Sequence, residues 1–101
     1  MRVAYRIRFA ASAEQQLAQF TARQQAMVLD AIKVQLRDEP FRETRNRKPR
    51  RPNLLAPWEL RVGALRIFYE EDADEADLVN ILAVGIKRGN RLFIAGKEIA
   101  V

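Results

Sequence analysis

At 101 residues, with 18 Lys and Arg against 13 Asp and Glu and a net charge of +5, the chain is long enough for one domain with its own core and too short for two. It contains no Cys and no His, which excludes a disulfide scaffold, a thiolate zinc site, an iron–sulfur cluster, a cysteine nucleophile, an imidazole metal ligand, Ser-His-Asp chemistry and a two-histidine ribonuclease mechanism. Any acid or base must come from Arg, Lys, Glu, Asp or Tyr, or from the substrate itself.

Residues 3 to 9 alternate apolar and polar side chains, with Val3, Tyr5, Ile7 and Phe9 on one face; this pattern predicts a half-buried strand. Ser12 stands three residues before Gln15, a capping-box spacing, and Ala13, Leu17 and Phe20 form a helical stripe, so a short helix is expected over about residues 13 to 21. Thr21 is placed to cap a second helix, in which Met27, Val28, Ala31, Ile32, Gln35 and Leu36 recur at intervals of three and four. That helix is expected to end near Asp38, because Pro40 disfavours helical geometry at Glu39. The two helices form a hairpin.

Phe41 to Ala56 has little periodicity, contains Pro49 and Pro52, and reads as a basic loop. Trp58 to Val62 alternates again, with Trp58, Leu60 and Val62 expected inward and Glu59 and Arg61 outward. Gly63-Ala64 suits a type II′ turn, and Leu65 to Glu70 returns with Leu65, Ile67 and Tyr69 opposite Arg66 and Phe68. Residues 70 to 77, six acids in eight positions, are expected to be a solvated loop. Leu78 to Gly85 is apolar and of strand length, Gly85 to Asn90 is expected to break it as a turn presenting Lys87 and Arg88, and Arg91 to Glu98 forms a last short strand or a C-terminal extension. The order predicts an α+β fold: an N-terminal strand, a helical hairpin, then three or four further strands in a mainly antiparallel sheet. No stretch is long and apolar enough for a bilayer span, and the N-terminus lacks a signal-peptide run, so the expected location is the cytoplasm, away from any membrane.

Charge is concentrated. Residues 42 to 51 carry six cations and one acid, a charge equal to that of the whole chain. Arg45, Arg47, Lys48, Arg50 and Arg51, with Asn46 and Asn53 beside them, make this segment a candidate grip on phosphate oxygens. Arg61, Arg66 and Lys87 are a second candidate cluster, since the first two lie on adjacent strands and converge if they share a face. Glu59 is a candidate general base, or the ion-pair partner of a neighbouring arginine. Trp58 and Phe93 are both candidates to stack on a base; Trp58 is in phase with the core, and the pattern leaves Phe93 open between core and site.

The segments PWELRVGALRIFYE and ILAVGIKRGNRLF, following a strand, a helical hairpin and a basic loop, resemble those of the RelE/ParE superfamily of bacterial type II toxin–antitoxin toxins over nearly the whole chain. The resemblance implies a small cytoplasmic toxin, neutralised by a cognate acidic antitoxin that folds against the helical hairpin or a sheet edge. For RelE-type members it implies metal-independent, cofactor-free cleavage of mRNA on the ribosome; for ParE-type members, poisoning of DNA gyrase without catalysis. A third alternative is an inactive binding module. Arg66 matches the arginine that contacts the scissile phosphate, Lys87 or Arg88 the cation that stabilises transition-state charge, and Arg61 a further strand arginine. With Arg91 and the basic loop these residues are the expected RNA-binding set. The chain departs from the RelE pattern in having Pro57 and Glu59 where strand lysines are common and Phe93 where a C-terminal tyrosine is. Proton abstraction from the ribose 2′-hydroxyl then falls to Glu59 or to a lysine such as Lys48.

Overall fold

The computed structural model describes residues 4–49 and 56–99. Its elements are β1 (Arg6–Phe9), α1 (Ala11–Ala18), α2 (Ala22–Gln35), β2 (Arg47–Pro49), β3 (Trp58–Val62), β4 (Leu65–Glu71), β5 (Leu78–Arg88), β6 (Arg91–Ile94) and β7 (Lys97–Ile99). The expected α+β architecture of two helices against a mainly antiparallel sheet is present. The sheet has more strands than expected, seven among the described residues, in the order β2-β3-β4-β5-β6-β7, with β1 added parallel to β5.

The 11-residue β5 organises the sheet. One edge pairs along its length with β4, while the other is divided: Leu78 to Ile81 pair with β1, and Ile86 to Arg88 pair with β6. The break expected at Gly85 does not occur. Alternation continues through Ile86 and Lys87, and the turn is confined to Gly89-Asn90, with Gly89 at φ +61°. Gly85 is needed for close approach instead, since a Cβ there would lie 2.7 Å from the Phe93 carbonyl oxygen and 2.8 Å from Ile94 Cγ1. At the β3–β4 turn Gly63 has φ +59°, the sign needed at the first central position of a type II′ turn.

The helices cover one face. α1 lies against β5 and α2 against β3, burying Ala13, Val28, Ile32 and Leu36 on Leu60, Ile67, Tyr69, Val79, Ile81 and Val84. α1 begins at Ala11 rather than 13, and Ser12 does not cap it. The Ala10 N–H is held by the Ile81 carbonyl, so the end of β1 pairing fixes the start of the helix. Thr21 does cap α2, with both bonds of a capping box to Gln24. Beneath the helices Phe41 packs on Tyr5, Trp58 and Tyr69. The buried Tyr69 hydroxyl donates to the Pro40 carbonyl at 2.5 Å, and burial pushes its pKa far up, so it is a structural donor. The opposite face carries a smaller cluster of Ala56, Phe68, Ala83, Leu92 and Ile94.

Three local expectations are corrected. Within the basic loop, Arg47–Pro49 form an edge strand on β3, a position that tolerates proline. Glu70 and Glu71 belong to β4, and Asp72 organises the turn that follows by accepting from the Asp74 and Glu75 N–H groups, Asn80 Nδ2 and Arg8. The C-terminal segment is a β-hairpin turning at Ala95-Gly96, both at positive φ. Val3 lies outside the described residues. Among the described residues no helix is long and apolar enough to cross a membrane.

Two predictions follow from this packing. Gly85→Ala must force β6 away from β5 and is expected to cost ~1–3 kcal/mol, read by urea denaturation. The hydrogen bonds from Asn80, Glu75 and Asp74, aided by Arg8, hold the Asp72 pKa at about 2 against 3.8. A depressed carboxylate stabilises the fold above its unfolded pKa and loses that contribution as pH falls through the folded one. Acid titration of the melting temperature should therefore show a loss between about pH 4 and pH 2 that is flattened in Asp72→Asn.

Candidate anion-binding site

Period-two alternation gives the face opposite the helices its polar chemistry. Lys48 on β2 pairs with Glu59 on β3, Arg61 on β3 pairs with Arg66 on β4, and Lys87 on β5 pairs with Leu92 on β6. All line one cavity of about 130 Å³ together with Pro49. Four strands thus each contribute a cation to a single hollow. Lys87 is placed by its own N–H, which donates to the Ala64 carbonyl at the β3–β4 turn.

Glu59 is the centre of this group. It lies on the face opposite Leu60, as its phase predicts, but that face is not solvent: Glu59 is only 5% exposed, because this side of β3 lies over Phe68 and the second cluster. Its carboxylate accepts from Arg61 Nε at 2.8 Å and lies 3.8 Å from Arg66 Nε. Arg66 also donates to the Gly63 and Leu65 carbonyls at 2.6 and 2.9 Å, so its guanidinium is fixed by the hairpin that carries it. Burial draws the Arg66 pKa down, Glu59 opposes this, and Arg61 adds to the lowering.

The remaining expected residues do not gather here. The Arg47 side chain lies on the helix side and donates to the Gln35 carbonyl at 2.6 Å and to the Arg42 carbonyl at 3.1 Å, closing the C-terminal end of α2. Arg45 is exposed ahead of β2. Arg88 and Phe93 line a different groove on the helix-covered face, since each is one residue out of phase with Lys87 and Leu92. Arg91 pairs with Glu98 at 2.7 Å and lies 5.9 Å from the centre of the Phe93 ring. Arg50 and Arg51 lie outside the described residues. Leu92 and Pro49 complete the cavity wall and were not expected there, since their neighbours across the strands are set by pairing that the chain order does not show.

The cavity can hold a monoanion such as a phosphodiester, with guanidinium and ammonium donors on several sides and no imidazole, thiol or hydroxyl nucleophile among the residues that line it. No family model matches the sequence, and no curated protein does. Among solved structures, a chain of the crystal structure of the toxin–antitoxin complex RelBE2 from Mycobacterium tuberculosis is similar, with 34% identity over 85% of this chain and 100% of that one and a TM-score of 0.69.

Removing the charge of Glu59 leaves Arg61 and Arg66 opposed across the strand pair. Glu59→Gln is expected to destabilise the fold by ~1–3 kcal/mol, with the loss reduced as salt is raised; chemical denaturation at two ionic strengths measures it.

Proposed function

Because the chain belongs to the RelE/ParE superfamily of toxin–antitoxin toxins, we propose that it is a RelE-type toxin that cleaves mRNA on the ribosome and so arrests translation. The observation that carries the reading is the convergence of Lys48, Arg61, Arg66 and Lys87 on one cavity around the buried Glu59. Attack of a ribose 2′-hydroxyl on its own 3′-phosphate forms the O2′–P bond and breaks the P–O5′ bond. The nucleophile is internal to the substrate, so positioning and charge stabilisation outweigh the need for a strong base. Arg66, held rigidly by its own turn, is oriented for the scissile phosphate; Arg61 and Lys87 share the charge that grows on the phosphorane oxygens. Proton removal falls to Glu59 or Lys48, cross-strand partners that line the same cavity, and the departing O5′ takes up a proton. The products are a 2′,3′-cyclic phosphate and a 5′-hydroxyl end.

The partner in this reading is an acidic antitoxin segment that folds on binding. The apolar side chains Met27 and Val34, seven residues apart and so on one side of α2, stand exposed, and such a segment could lay apolar residues against them.

The test is incubation of purified protein with programmed ribosomes, with primer extension of the mRNA. Wild type is expected to cut within the ribosome-bound codon, and Arg66→Ala to lower the rate about 10²–10³-fold, as loss of one preorganised charge-stabilising donor does. Intact mRNA with wild type overturns the nuclease reading. If induction in cells then stops DNA synthesis before protein synthesis, the chain is a ParE-type gyrase inhibitor; if growth is unaffected, it is a binding module.

A further inference from the structure

We propose that Glu59 is an autoinhibitory contact inside the cavity: its carboxylate holds the place that a phosphodiester oxygen takes between Arg61 and Arg66, and an RNA phosphate binds only by displacing it. The ligand class rests on the RNA reading above.

One oxygen serves both arginines. Glu59 Oε2 lies 2.8 Å from Arg61 Nε and 3.8 Å from Arg66 Nε. A guanidinium has five N–H groups in a fixed fork, and Arg66 turns Nη1 to the Gly63 and Leu65 carbonyls. The paired donors left for an anion are those on Nε and Nη2. Oε2 stands before the Nε end of that edge. The Arg66 side chain is 13% exposed and lines the same cavity as Glu59, so an anion that enters to reach both arginines meets a carboxylate where its own oxygen would be held best.

The displaced carboxylate has a second partner at hand. Lys48 stands directly opposite Glu59 in the β2–β3 pairing and lines the cavity too. Its present acid, Glu43, is exposed and 3.7 Å away, a pair that contributes little. Rotation of Glu59 toward Lys48 exchanges one cation for another, while the incoming phosphate restores a negative charge between Arg61 and Arg66. Neither state strands a buried charge. The competition concerns binding alone, and it holds whichever group takes the 2′-hydroxyl proton.

The test measures binding of inorganic phosphate by calorimetry and of a non-cleavable 2′-O-methyl hexanucleotide by fluorescence anisotropy, well below the melting temperature of each variant. Glu59→Gln keeps the shape of the side chain and removes its charge. It is expected to bind both ligands about tenfold tighter, the size of one lost charge-assisted hydrogen bond, although its fold is less stable. A group that merely orients the arginines would lose stability and affinity together. Glu70→Gln, which removes an acid from the strand that carries Arg66, controls for overall charge and should gain less than about twofold, fading as salt is raised. In an Arg66→Ala background the gain from Glu59→Gln should vanish.

Unchanged or weaker binding by Glu59→Gln overturns the proposal, as does an equal gain in Glu70→Gln or one that persists without Arg66. A second measurement needs no variant. In NMR spectra of the wild type titrated with phosphate, the Glu59 Cδ and Arg61 Nε resonances should move together; a shift of Nε with Cδ unmoved places the anion beside the carboxylate and overturns the displacement. Tighter phosphate binding by Glu59→Gln with no binding of the oligonucleotide by either protein supports the competition and overturns the RNA reading, and phosphate bound by neither protein overturns both.

Discussion

Two arginines directly opposite each other on paired strands repel, and a carboxylate taken out of water loses its hydration. In this chain each problem answers the other. The β3–β4 register sets Arg61 against Arg66, and Glu59, two residues before Arg61 on the same face, brings its buried oxygen to 2.8 Å from one Nε and 3.8 Å from the other. Register, cation spacing and burial of Glu59 depend on one another, because a slip of β3 by one residue would send Glu59 and Arg61 to the helix side and leave Arg66 without its partner. The arrangement is preorganised for an anion: the guanidiniums are fixed before a ligand arrives, so little ordering entropy remains to be lost on binding.

The sheet can carry such a site because its faces divide the work. On the helix side, Leu60, Ile67, Tyr69 and Val84 pack under α1 and α2, and the capping of α2 by Thr21 at one end and its closure by Arg47 at the other hold that layer in place. The other face has only a small apolar cluster, which leaves the β2–β5 surface beside it for charge. β5 couples the two, since its alternate residues serve the core and the cavity, and its length lets β1 and β6 share one edge.

Much of this was legible in the chain. The period-two runs around Leu60 and Ile67, the Thr21 cap, the helical stripe of Val28, Ile32 and Leu36 and the Gly63 turn are local signals, and local geometry satisfied them. What was not legible depended on partners distant in sequence. Ser12 has the spacing of a cap, but the pairing of Ala10 with Ile81 started α1 sooner. Gly85 looks like a breaker until the Phe93 carbonyl is placed against it. Glu59 alternates as an outward residue does, and only the cluster beneath Phe68 shows that outward is not solvent here. The site followed the same rule: Arg61 and Arg66 were placed together from their adjacent strands, whereas Lys87, Arg88 and Phe93 were assigned by resemblance, and the continuation of β5 through Lys87 carried Lys87 to the cavity and Arg88 and Phe93 to the other face.

The distribution of ion pairs decides where the surplus positive charge acts. A run of cations at 42–51 suggests one basic surface, yet Arg42 pairs with Glu39, Lys48 meets Glu43 at 3.7 Å, and Arg47 is spent on α2. Elsewhere Arg6 pairs with Glu75, Arg8 with Asp72 and Arg91 with Glu98. Most of these pairs are exposed and contribute little to stability, but each cancels a charge where it stands. In the cavity Arg61, Arg66 and Lys87 meet one carboxylate beside the apolar wall of Pro49 and Leu92, with Lys48 at the edge shared with Glu43, so cations outnumber acids there. A polyanion is drawn to that point by the imbalance between cations and acids, not by the density of basic residues along the chain.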